Sequence, residues 1–132
     1  MSRHRVCAAA ELAAPGSRAL AEIDGVRLAV FRLDDGLYAL ENRCAHQKGP
    51  VCDGKLFRKL VATVEPDGRT REFYDGDEFH VIACPWHGWE YDVRTGRVLA
   101  DPKRGVRTFA VEEADGEVFV LLPTARSAGV PA

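Results

Sequence analysis

Two short stretches of the chain carry side chains able to do chemistry together: Cys44-Ala45-His46 and Cys84-Pro85-Trp86-His87. Each offers one thiolate, a soft charged ligand, and one imidazole, a neutral borderline one, so a site built from two of each suits iron with inorganic sulfide, or zinc. Zinc spacings usually pair like ligands, cysteine with cysteine and histidine with histidine. Here the order alternates, which favours iron and sulfide and leaves a zinc-stabilised interaction module as the competitor.

The neighbouring residues narrow the choice. The first stretch reads Asn42-Arg43-Cys44-Ala45-His46-Gln47-Lys48-Gly49-Pro50-Val51, and the second Cys84-Pro85-Trp86-His87-Gly88-Trp89-Glu90-Tyr91-Asp92, followed by Thr95-Gly96. Both resemble the cluster-binding loops of the Rieske family, and the similarity extends over roughly residues 35 to 122. The resemblance implies an all-β, Rieske-like fold of several small antiparallel sheets with the two loops at one end. It implies one [2Fe-2S] cluster of Rieske type, with Cys44 and Cys84 on the inner iron and His46 and His87 on the outer, solvent-facing iron.

Around those ligands the resemblance places Lys48, Pro85, Trp86, Gly88, Trp89 and Tyr91. Pro50 and Trp86 would shield the inner side, Tyr91 would donate to a cysteine sulfur, and Gly49, Pro50, Pro85 and Gly88 would allow tight turns that aim N–H groups at sulfide. Trp89 stands where high-potential members commonly carry a serine bonded to the cluster. Without that bond the reduced form is less favoured, so the expectation is the lower part of the Rieske potential range. Lys48 departs from the small residue usual there; exposed beside the outer iron, it could steer an acidic partner. Respiratory members clamp the loops with a disulfide, but Trp86 takes the place of the second-loop cysteine. Cys7 and Cys52 are therefore read as free structural thiols, Cys52 being the one near enough to the first loop to invite redox chemistry. His4 and His80 read as ordinary surface or strand histidines.

Something must hold both stretches, and the pattern points to short strands. Asp-Gly pairs begin at 24, 35, 53, 67, 75 and 115, a signal for hairpin turns. Residues 26–33, 37–41, 79–83, 109–112 and 117–122 are the firmest strands, and a first strand with a short loop is expected before Pro15. Residues 37–41 lead into Cys44, and 79–83 deliver Cys84. Between His46 and Cys84 lie 37 residues, about twenty more than in compact ferredoxin-type members of the resemblance. The excess near residues 60–77 is read as an added hairpin or surface loop, and the tail from about Thr124 as loose.

Composition sets outer bounds. A chain of 132 residues fits one domain, taken here as 1–132; 46% apolar and 29% charged residues suit an ordinary globule. A net charge of −2 offers no basic field for nucleic acid, and no apolar run is long enough to span a bilayer. Glu11 ends the apolar run at the start too early for an export signal, so the cytoplasm is expected. The resemblance then implies a soluble low-potential ferredoxin passing single electrons from a reductase to an oxygenase. Its alternative is a small subunit of a larger oxidoreductase such as assimilatory nitrite reductase. Only a short stretch follows Leu122, too little for a mononuclear iron domain, so a carrier rather than an enzyme is expected.

Overall fold

Strand β3, Val26–Leu33, explains the layering of the molecule. Side chains of a strand alternate between faces, and β3 is apolar on both. Ala29, Phe31 and Leu33 enter one buried cluster, while Leu28 and Val30 enter another on the opposite face. The computed structural model describes residues 2–45, 48–86 and 88–123. Among these, β1 is Ser2–Ala8, β2 Arg18–Ile23, β4 Gly36–Glu41, β5 Leu56–Val64, β6 Thr70–Ala83, β7 Glu90–Asp92, β8 Thr108–Ala114 and β9 Glu117–Leu122. Single turns of 3-10 helix cover Ala9–Leu12 and Val51–Asp53.

Six strands form one antiparallel sheet in the order β1-β9-β8-β4-β3-β2. Its outermost strands, β1 and β2, also touch, so the sheet curls back on itself. Val118, Val120 and Leu122 of β9 meet Leu28, Val30 and Leu12 in the enclosed core. The second sheet, β5-β6-β7, covers the other face of β3 and β4. Between the two lies the core that matters for the site: Phe31, Leu40, Val51, Cys52, Ile82, Val93, and with them Cys44, Cys84 and Tyr91.

The strands expected from sequence are present, and the all-β class is observed. Two Asp-Gly pairs form two-residue hairpin turns as expected: Asp24-Gly25 between Ile23 and Val26, and Asp115-Gly116 between Ala114 and Glu117. All four residues have positive φ, the geometry that matches strand twist. Three other pairs differ. The β3–β4 turn is centred on Asp34-Asp35, because Leu33 pairs with Gly36. Asp53-Gly54 closes a 3-10 turn and makes no hairpin. Asp75-Gly76 lies inside β6: Arg58 pairs with Phe79 and Leu60 with Tyr74, so residues 75–78 bulge opposite Lys59. Residues 60–77 accordingly belong to a long β5–β6 hairpin whose connection, 65–69, holds Asp67-Gly68. The bulge divides β6 into a core half, where Val81 and Ile82 are buried, and an exposed half bearing Phe73 and Tyr74. The tail from Thr124 lies outside the described residues.

Cys52 is fully buried between the sheets, its Sγ 3.8 Å from the Leu40 carbonyl. Burial pushes its thiol up from 9.0 to about 12, and burial raises Cys7 as well. Cys52 is thus an inert core thiol. In the unfolded chain the thiol ionises near pH 9 while the folded one stays protonated, so its contribution is complete below pH 9 and is lost as pH climbs toward 12. Denaturant titrations should show stability falling across that window by up to about 1.4 kcal/mol per pH unit from this group, with a shallower slope in Cys52→Ala.

Candidate metal centre

The two loops close in the same way. In the first, Cys44 N–H donates to the Gly49 carbonyl at 2.8 Å and Lys48 N–H to the Cys44 carbonyl at 2.8 Å. In the second, Cys84 N–H donates to the Trp89 carbonyl at 2.8 Å and Gly88 N–H to the Cys84 carbonyl at 2.9 Å. Each loop is therefore a ring in which the cysteine bonds the residues four and five positions on. Closing it requires a left-handed residue at the fourth position, and φ is +59° at Lys48 and +74° at Gly88. Both cysteine side chains turn inward and are 2% exposed.

The rings abut. A Cβ added at Gly49 would come within 2.8 Å of the Trp86 ring, so that indole lies directly against the first loop. Trp86 nevertheless remains 57% exposed. The expectation that it shields the inner side is corrected: β6 ends at Ala83, only Cys84 still points into the core, and Trp86 caps the rim. The inner side is closed instead by Tyr91, which is wholly buried, with Trp89 packed partly buried beside it. The Tyr91 hydroxyl accepts the Ala45 N–H at 2.8 Å and lies 3.0 Å from Cys44 Sγ. Burial foremost, and then the contact with Cys44, raise the phenol well above its ordinary value. It keeps its proton at any working pH and can donate to a thiolate.

Supports outside the motifs were missed from sequence. Arg18 of β2 donates to the carbonyls of Cys52 (2.7 Å) and Gly54 (2.5 Å), fixing the end of the first loop against the sheet. Asn42, the single buried polar residue among those described, accepts the Cys52 N–H through Oδ1 at 2.9 Å. Gly54 passes so close to β6 that an added Cβ would fall 1.8 Å from the Ala83 carbonyl oxygen. Asn42 stood inside the first motif and Gly54 inside an Asp-Gly pair; nothing in the sequence marked Arg18.

A family model described as the Rieske [2Fe-2S] domain matches residues 2–110. The chain belongs to the Rieske family. It is 32% identical over 117 residues to ferredoxin CarAc of Metapseudomonas resinovorans, covering 88% of this chain and 90% of that protein. It is 27% identical over 123 residues to the 3-phenylpropionate/cinnamic acid dioxygenase ferredoxin subunit of Photorhabdus laumondii, covering 92% and 96%. Among solved structures, a chain in the complex of reduced oxygenase and oxidized ferredoxin in carbazole 1,9a-dioxygenase aligns with a TM-score of 0.65 and 30% identity, covering 89% of this chain and 91% of that one.

The cofactor of this Rieske domain is one [2Fe-2S] cluster. The donors described fit it: two buried thiols, each on its own loop and neither in a disulfide, beside a protonated phenol. The same thiols would also suit zinc, and it is the family match that sets the zinc module aside. His46 and His87 lie outside the described residues. His80 accepts no such role: it sits in β6 with Nδ1 3.1 Å from the Glu78 carbonyl, and His4 lies by Ser2 and Asp24. Pro85 and Lys48 are exposed at the rim.

Two glycines separate close approach from conformation alone. Gly116 has φ +76° and open space around it, so Gly116→Ala should cost only about 1 kcal/mol. Gly54→Ala must drive the first loop away from Ala83, and we expect iron content to collapse in that variant while Gly116→Ala loads normally, as read by iron assay after purification.

Proposed function

We propose that this chain is a soluble, cytoplasmic electron carrier, a single Rieske domain over 1–132 that takes single electrons from a reductase and passes them to an oxygenase-type acceptor. The observation that carries this is the pair of matched rings, each burying its cysteine in one core with the Tyr91 phenol 3.0 Å from Cys44 Sγ, on a chain spanning nearly the whole length of the ferredoxin components it resembles. Cys44 and Cys84 hold the inner iron, and His46 and His87 the outer one. When bound, the cluster supplies a one-electron site. The chain's own contribution is to bury the sulfur donors, to donate from Tyr91 to Cys44, and to leave the loop rim, with Lys48 and Trp86, open to a partner protein. Among the described residues no helix is long and apolar enough to cross a membrane, and the relatives it resembles are ferredoxin components. The isolated chain is a carrier and not an enzyme. The potential lies in the lower part of the Rieske range, since Trp89 supplies no hydroxyl to the cluster.

One feature favours the alternative of a subunit held in a larger oxidoreductase. The β5–β6 hairpin exposes Leu60, Val64, Tyr74 and Phe79, an apolar surface that a permanent assembly would cover. Native-size co-purification from the source cell separates the two readings: a carrier runs alone, a subunit in a stable complex.

The ligand assignment predicts two irons and two labile sulfides per chain. His46→Ala and His87→Ala should each lose the visible absorption, with His80→Ala unchanged; equal losses from all three would sink the assignment. Tyr91→Phe should load the cluster yet titrate at a lower midpoint than the unaltered protein, because the added negative charge loses a donor. An unchanged midpoint would remove Tyr91 from the electron site.

A further inference from the structure

Beside the first loop, and outside the cysteine pocket, lies a concavity of about 330 Å³ lined by Gly25, Arg27, Glu41, Arg43, Lys48 and Arg107. Four of these are cations and one is an anion. Glu41 is taken up by Arg107, at 2.9 Å. Among the described residues no ion pair reaches Arg27, Arg43 or Lys48. Glu22, directly across from Arg27 in the β2–β3 register, is exposed, and Asp24 is engaged with His4 at 3.6 Å. A chain whose net charge is −2 thus concentrates unbalanced positive charge at the edge of its first loop. The second loop differs: the cavity beside it is lined by Glu90, Asp101 and Arg104, and Arg104 pairs with Asp101 at 3.5 Å.

Lys48 gives a second, independent observation. It occupies the left-handed position of its ring, φ +59°, where the matching position of the other ring is Gly88. A non-glycine residue there costs on the order of 1 kcal/mol. Glycine would close the ring without that cost, so the lysine stands there against the local backbone preference, and it lines the concavity. Arginine forks recognise carboxylates in two-bond geometry, and a lysine adds an adaptable point charge.

We propose that this basic concavity is the docking site for a carboxylate-bearing face of the redox partner, so that an acidic partner protein seats beside the first loop. The inference rests on the carrier reading and adds the chemistry of the partner's surface. Charge of this kind acts mainly on encounter rate and its salt dependence.

The test uses the cluster-loaded full chain and gold electrodes bearing carboxylate-terminated or amine-terminated monolayers as probes. A protein of net charge −2 guided only by its total charge would favour the amine surface. We expect electron exchange about tenfold faster on the carboxylate surface at low salt, the advantage vanishing as salt is raised. Arg27→Glu with Lys48→Asn should abolish the preference; Asn tolerates the left-handed position. Lys59→Asn with Arg71→Glu, the same change in charge placed on the β5–β6 hairpin, should keep it. The milder Arg27→Gln/Arg43→Gln variant makes the same comparison if reversal prevents cluster loading. Equal exchange on both surfaces, faster exchange on the amine surface, or equal losses in the two altered proteins would overturn the proposal. Missing visible absorption in the unaltered protein would instead defeat the carrier reading, so the two failures are distinguishable.

Discussion

Burying two thiol side chains from distant parts of the chain in one core cluster is the constraint that the architecture answers. A thiolate in a low-dielectric interior is unfavourable unless donors or a cation face it. Here Tyr91 carries out part of that compensation from β7, a strand of only three residues. Its own placement needs the β6–β7 pairing, Ile82 against Tyr91, and the bridge from Tyr91 to Val98. The phenol therefore reports whether the second sheet has closed over the first. A cluster with one loop out of place would lose a ligand and a hydrogen bond together.

The same requirement explains why the two sheets meet where they do. β4 runs into the first loop and β6 into the second, and both contribute to the core that contains the cysteines: Leu40 from one, Ile82 from the other. Gly54 lets the end of the first loop lie against the last residue of β6 at a distance no side chain allows. Arg18 then ties that contact to β2, so the curled six-stranded sheet and the smaller sheet are joined at the base of the site. Rigid strands thus set the separation of the loops, which is how a ligand set is preorganised before metal binds.

Much of this was legible because it rests on local chemistry. The motifs name the cysteines, and Asp24-Gly25 and Asp115-Gly116 name their turns because both residues of such a turn need positive φ, which few dipeptides accept. Asp53-Gly54 and Asp75-Gly76 carry the same letters for other reasons. Gly54 is needed for a close approach by a segment distant in sequence, and Gly76, φ +83°, for a bulge in the middle of a strand. Neither requirement has a local signature. β5 was obscured similarly: several of its residues are exposed on either side of the hairpin arm, so no clean alternation marks it. Trp86 misled in the opposite direction, since a tryptophan beside a cysteine suggests a core residue, whereas the loop has already left the core. Arg18 is the extreme case. Its function is to satisfy two carbonyls 34 and 36 positions away, and only the fold brings them within reach.

The two rings share a hydrogen-bond pattern but are held by different means. The second contains Pro85, which presets φ, and Gly88, which takes the left-handed position without penalty. It is also supported from outside, since Arg104 lies over the Trp89 ring at 5.6 Å and Trp89 packs on the core. The first has Ala45 and Lys48 in those places, with neither advantage, and is braced from outside: Tyr91 receives the Ala45 N–H, Trp86 lies against Gly49, and Asn42 and Arg18 fasten the turn that follows. Those outside contacts hold the first ring where its fourth residue is not glycine, so a charged side chain can stand there, while Gly49 stays required against Trp86. The basic concavity lies beside the first ring, whereas the cavity beside the second is lined by two acids and one base.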